Sequence, residues 1–290
     1  MKKVLLLSLA LIFSLCFLAA PNTAAAATYK NEFAEINADN VAKGYLDIKV
    51  TKTTDKELRV RITKGEKTYS YLLKDNKNFY KFPLQMDSGS YNVKILEHSS
   101  GNKYAVLYSV DITATITDPL FPFTISHTLV NYDAAPKTVA IAKQLTSGNA
   151  TDLAKLESVY GNIVETMTYD NALAAKITSG EVTSYIPDVD AVYASHKGIC
   201  FDYSSVMASM LRSQGIPTRL VMGYVAPSNV YHAWNEVYIA NKGWVQVRGS
   251  IEIGSNIWSR MDATFAASSA NSDLSGFIGN GSNYRTTDIY

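Results

Sequence analysis

Cysteine is nearly missing from this chain: there are 2 in 290 residues. Cys16 lies inside an apolar N-terminal stretch, which leaves Cys200 alone in the body of the chain. One thiol cannot form an internal disulfide. With only 4 scattered histidines, the ligand spacing of a Cys/His metal cluster is absent as well. Neither charge is in excess, since 27 Lys and Arg face 26 Asp and Glu, and no Lys/Arg block occurs. A near-neutral chain has no global attraction to nucleic acid or to an anionic membrane. A Gly-rich phosphate loop is also missing. These gaps point to a protein with no cofactor, no metal and no nucleic-acid partner.

Long apolar runs are confined to the start. Lys2 and Lys3 precede an apolar stretch from Val4 to about Ala20, and Ala24-Ala25-Ala26-Ala27 follows. A basic segment, an apolar segment and an A-x-A site describe a secretory signal peptide, cleaved near Ala27. The expectation is a secreted or cell-surface protein without stable membrane insertion after cleavage. Leu15 stands before Cys16 where a lipid attachment site has small residues, so Cys16 belongs to the discarded peptide.

Residues 28–115 read as a domain of short strands. Tyr45–Val50 and Glu57–Ile62 alternate apolar and polar positions, the period of a half-buried strand. Tyr69–Leu73, Tyr80–Leu84, Tyr91–Leu96 and Tyr104–Ile112 follow, separated by turns such as Asp87-Ser88-Gly89. This spacing predicts an antiparallel β-sandwich. The segment carries no catalytic constellation, and His98 reads as an exposed turn residue. Residues 116–136, with Pro119, Pro122 and Pro136, read as the connection between domains. His127 lies there without a visible partner.

From residue 137 the period becomes helical. Thr138–Leu145 predicts a short helix. Thr151 and Asp152 cap a longer one whose apolar face is Leu153, Leu156, Val159, Tyr160, Ile163, Val164 and Met167. Asp188–Ser195 predicts another short helix. After Ala266 the chain is rich in Ser, Asn and Gly and reads as a surface tail, residues 268–290.

Cys200 opens a further helical pattern that runs to about Gln214. Phe201, Ser204, Ala208 and Leu211 share a face, and Gly215 and Pro217 stop the helix. At a helix start the free N–H groups and the macrodipole favour a thiolate. The same N–H groups can donate to an oxyanion. A lone thiol is either reactive or simply a buried apolar side chain; this position favours the first. A base is available 32 residues on, at His232, in the strand-like run Tyr231–Ile239. His196 is a rival base in the loop before the helix.

Three segments, Gly198-Ile199-Cys200-Phe201-Asp202-Tyr203, Arg212-Ser213-Gln214-Gly215-Ile216-Pro217 and His232-Ala233-Trp234-Asn235-Glu236-Val237, together resemble the transglutaminase-like superfamily. The resemblance covers roughly residues 150–267. It implies an α+β fold class: an N-terminal antiparallel β-sandwich followed by a papain-like, transglutaminase-like domain over residues 137–267. It also implies a Cys–His–Asp triad. In the family's commonest pattern the next strand ends in Val-Asp, but Trp244-Val245-Gln246-Val247 is followed here by Arg248. Trp, Asp and Thr-Phe recur in Trp258–Phe265, so the third role goes to Asp262, with Glu252 as fallback. Arg248–Ile257 then becomes an inserted excursion. Asp202 and Tyr203 read as packing or capping residues, and Trp234 and Trp244 as core or cleft-wall aromatics.

The activity implied is acyl chemistry at amides. A thioester on Cys200 is resolved by water in a protease or amidase, or by an amine in a crosslinking acyltransferase. Extracellular proteins, peptides or cell-wall peptides are the substrates expected. The other reading is a catalytically inactive extracellular binding module, for which Arg248 leaves room.

Overall fold

The computed structural model describes residues 27–73, 78–226, 229–247 and 284–290. In chain order the first strands are β1 Thr28–Lys30, β2 Ala34–Asn37, β3 Tyr45–Val50, β4 Leu58–Lys64, β5 Lys67–Leu73, β6 Tyr80–Pro83, β7 Gly89–Ser100 and β8 Lys103–Ala114. Next come α1 Pro136–Thr146, α2 Asp152–Thr166, β9 Thr168–Tyr169, α3 Asn171–Thr178, α4 Val189–Ser195 and β10 Lys197–Gly198. The chain then forms α5 Cys200–Arg212, β11 Thr218–Val225, β12 Val230–Ile239, β13 Gly243–Val247 and β14 Tyr284–Ile289. This is the α+β class expected. The signal-peptide stretch lies outside the described residues.

The first eight strands form two four-stranded antiparallel sheets, ordered β1-β2-β3-β6 and β5-β4-β7-β8. Every second residue of β3, and of β4 as far as Ile62, is buried, as the period-2 pattern demands. Ile36, Leu46 and Ile48 of one sheet share a core with Val60, Ile62 and Val93 of the other. The edge of the Tyr71 ring meets Phe82 at 5.4 Å across that core. This is the sandwich that the alternation predicts.

A third sheet, β13-β12-β11-β14, is also antiparallel, and α5 lies against its β11 and β12. On the other side α1, α2 and α4 pack on α5 through Leu156, Val159, Ile163, Val192, Val206 and Met210. The α5 segment from Asp202 to Arg212 is buried on all sides. Its small residues Ser204, Ser205, Ala208 and Ser209 let its neighbours come close, and its charged groups, Asp202 and Arg212, are met by hydrogen bonds. Ser205 Oγ donates to the Leu129 carbonyl at 2.7 Å.

Two expectations change here. The stretch 116–136 is not a loose connection. Ile125 to Val130 are buried, and Leu129 and Val130 join one core with Val60, Ala208 of α5, Leu220 of β11 and Tyr290. Nor is the end of the chain a surface tail. Residues 284–289 pair with β11 in the third sheet, and Tyr290 packs edge-on against Tyr69 and Tyr71 at 5.3 and 5.4 Å. The Ser/Asn/Gly composition of the preceding stretch conceals a final strand of Tyr, Thr and Ile, residues that suit a sheet.

Arg212, 2% exposed, ties these parts together. Its Nε donates to the Thr218 carbonyl at 2.8 Å. One terminal nitrogen reaches Ile125 O and the other the main-chain oxygen of Tyr290, each at 2.9 Å. Burial pulls its pKa down to about 9, so it is still a cation at neutral pH. Nearby His127 is buried, with its ring edge against Tyr71 at 5.7 Å and Nδ1 accepting from Leu129 N at 3.3 Å. Burial, and then the Arg212 charge, hold its pKa well below the usual 6.5.

Arg212→Lys cannot reproduce three diverging donations and should lower stability by about 2–4 kcal/mol in urea unfolding. His127 imposes a pH dependence. The folded state keeps it neutral while the unfolded chain takes up a proton below about 6.5. Stability should therefore be full above that pH and decline as pH falls towards 5. In His127→Asn this part of the slope should disappear; an unchanged slope would assign the dependence to other groups.

Candidate active site

The turn before α5 is built around one carboxylate. Asp202, 0% exposed, accepts from Ile199 N through Oδ2 at 2.8 Å. It thereby caps the helix from the third position. Its Oδ1 accepts from Tyr185 OH at 2.6 Å. Burial raises the Asp202 pKa. The Tyr185 and Ile199 hydrogen bonds oppose this, and the Asp170 carboxylate adds to it. Gly198 leaves the required space, since a Cβ there would lie 2.5 Å from Asp202 Cβ. The backbone at Gly198 is fixed from the other side by β10, which runs parallel to β9, and Asp170 N donates to Gly198 O at 2.9 Å.

Cys200 is the first residue of α5, a free and half-buried thiol. It therefore stands where the helix N–H groups are unpaired and the macrodipole is positive. The sequence reading of Asp202 as a capping residue holds. Tyr185 went unnoticed, because its partner is 17 residues away and no periodic pattern joins them.

His232 is the third residue of β12, and it is buried. Asn235 fastens this strand to α5 and β11: its Nδ2 donates to Ser204 O at 3.0 Å and to Arg219 O at 3.1 Å. Val237, of the same parity, joins the α5 core. His232 shares the alternate parity with Trp234, and their rings stack 6.5 Å apart. Trp234 in turn meets Tyr284 of β14 edge-on at 5.0 Å. Gly223 stands opposite His232 in the register, and a Cβ there would come within 2.2 Å of Arg285 O. Glycine at this point lets β14 lie beside β11 at the level of the histidine.

Tyr231 precedes His232 in β12, on the other parity. Burial raises its pKa first, then the Asp288 carboxylate, and Cys200 acts in the same direction. The open end of β12 therefore lies within electrostatic range of Cys200. His196 is elsewhere: it caps α4 in the left-handed conformation on an exposed corner, with its ring 5.8 Å from Tyr193. Trp244 forms a wall with Phe123 around the Arg219 guanidinium, which lies 3.7 Å from the Trp244 ring centre and pairs with Glu236 at 3.0 Å. Arg248, Glu252 and Asp262 lie outside the described residues.

Comparison with known proteins bears on the family of this part of the chain. Residues 139–248 match the family model described as the transglutaminase-like superfamily. The chain carries a transglutaminase-like domain. The uncharacterized protein YebA of Bacillus subtilis is 29% identical over 126 residues, 38% of this chain and 16% of that protein. A protein-glutamine gamma-glutamyltransferase of Pseudomonas aeruginosa is 32% identical over 76 residues, 22% of this chain and 11% of that protein. The chain thus spans less than a fifth of the length of these curated relatives. Among solved structures, a candidate cysteine protease from Cytophaga hutchinsonii is 14% identical, with a TM-score of 0.39 and coverage of 91% of this chain and 81% of that one. A TGase is 23% identical, with a TM-score of 0.33 and coverage of 52% and 37%.

Within the transglutaminase-like domain the contact between Gly198 and Asp202 gives a direct test of the turn. Gly198→Ala should cost about 1–3 kcal/mol in thermal unfolding, the range for overpacking a tight site. The same variant should slow alkylation of Cys200 several-fold, because the Cβ displaces Asp202 from Ile199 N. Unchanged alkylation would mean that this turn does not set the thiol's reactivity.

Proposed function

We propose that the protein is a secreted cysteine enzyme that transfers acyl groups from amides of proteins or peptides. The observation that carries this reading is the half-exposed thiol at the start of α5, with the His232 strand fastened to the same helix by Asn235. In this reading the Cys200 thiolate adds to an amide carbonyl carbon, and helix N–H groups stabilise the oxyanion. His232, having taken the thiol proton, gives it to the leaving amine. The C–N bond breaks and a thioester remains. Water then returns a carboxylic acid, or an amine forms a new amide, and either step regenerates the thiol. The protein-glutamine gamma-glutamyltransferase relative supports the second outcome, although it matches only 76 residues.

The proposal requires His232 to reach Cys200 round the open end of β12. The third role is proposed for Asp262 on its sequence pattern, with Glu252 as fallback. Arg248 in the usual acid position favours a second reading, a binding module without catalysis.

Iodoacetamide separates the two. A catalytic thiolate should be alkylated at about pH 6–7, below the ordinary thiol range. His232→Ala should then slow the reaction about tenfold or more. With peptide and amine-donor substrates, Cys200→Ala should abolish release and crosslinking, a loss of about 10³-fold or more. A thiol that reacts only at alkaline pH, indifferent to His232, would establish the binding module.

A further inference from the structure

A cleft of about 700 Å³ separates the β-sandwich from the transglutaminase-like domain, lined by Thr54, Glu57 and Leu72 on one side and Ser184, Tyr185 and Ile186 on the other. Its two walls are joined at Glu57, just before β4. The Glu57 carboxylate accepts from Ser184 Oγ, from Tyr104 OH at 2.5 Å and from Arg59 Nε at 2.6 Å. Burial would raise its pKa, but these three donors outweigh burial and bring it down to about 2. A carboxylate held in this way is ionised at any physiological pH, and its ion pair and hydrogen bonds fix the residue beside Tyr185.

Tyr185 continues the connection. Its hydroxyl donates to Asp202 Oδ1, and its ring meets Phe201, next to the nucleophile, edge-on at 6.3 Å. The other Asp202 oxygen holds Ile199 N. Both oxygens of a fully buried carboxylate are thus in use, one towards the β-sandwich and one towards the turn that presents Cys200. If Tyr185 is lost, Oδ1 loses its donor in a desolvated site. Asp202 must then turn away from Ile199 or take up a proton.

We propose that Glu57 and Tyr185 are positioning residues for the nucleophile: through Ser184 and Tyr185 the β-sandwich holds the Asp202 carboxylate that fixes the Cys200 turn. The N-terminal domain is then part of the active-site scaffold, not an appended module. The inference deepens the proposed cysteine chemistry and rests on it for its catalytic meaning; the geometric coupling can be measured independently.

The test uses the protein with Tyr185→Phe, Glu57→Gln and both together. Two readouts apply: hydrogen exchange of the segment 198–203, and the rate of Cys200 alkylation against pH. Tyr185→Phe should raise exchange in 198–203 about tenfold or more while strands β4 and β7 keep their protection. It should also change the rate of Cys200 alkylation several-fold, because Asp202 no longer holds Ile199 N and the turn before the thiol in place. Glu57→Gln should give smaller changes in the same direction, and the double variant should match Tyr185→Phe, because the two act in series. If a variant fails to fold, Tyr104→Phe removes one half-buried donor to Glu57 and gives a milder version of the same test. Exchange and alkylation profiles that overlay the wild type would overturn the proposal while leaving the cysteine chemistry intact. A wild-type thiol indifferent to His232 would instead overturn the chemistry, and the exchange data would still decide the coupling.

Discussion

A cation in a protein interior must have its donors satisfied, and Arg212 meets that condition with carbonyls from three distant parts of the chain. The guanidinium fork points in fixed directions, so Ile125, Thr218 and Tyr290 must each arrive at a set place. Ile125 brings the segment after the sandwich, Thr218 the first strand after α5, and Tyr290 the residue following β14. Because Arg212 ends the same helix that Cys200 begins, placing the guanidinium also sets the helix that carries the thiol. The shared core of Val60, Ala208, Leu220 and Tyr290 packs round this centre. Two regions that read as separate domains in sequence are joined here by one buried cluster.

The other end of α5 depends on a carboxylate. Asp202 caps the helix through Ile199, and Gly198 gives it room. Both ends of the helix therefore carry a buried charge of the sign that complements the dipole, negative at the N-terminus and positive at the C-terminus. The start of the helix, and with it residue 200, is thereby held at a defined place.

Much of this was legible residue by residue. The alternation in Tyr45–Val50 and Leu58–Ile62 marks strands because one side chain in two faces the core. The spacing of Leu156, Val159, Tyr160 and Ile163 marks a helix for the corresponding reason. Cys200 at a helix start, Gly215 and Pro217 after its end, and the His232 strand were all readable from local chemistry. The third sheet was only partly readable. β14 lies far along the chain from its partner β11, and strand pairing over such a separation leaves no periodic trace. For the same reason the prolines of 116–136 suggested a connection, although Ile125–Val130 are buried. Proline disfavours regular structure but says nothing about burial.

The sequence by itself determined the local elements and the chemical types at the site: one thiol, a histidine on a strand, a capping aspartate. These follow from φ/ψ preference, side-chain period and hydrogen bonds within a few residues. Only the tertiary structure decided what joins them. It placed Tyr185 on Asp202, Glu57 on Ser184, Asn235 between α5 and β12, and Tyr290 under Arg212. The contacts of Asp202, Asn235 and Arg212 depend on burial, which removes water as the alternative partner and so makes one particular donor or acceptor necessary. That requirement arises only once the chain has closed round the site.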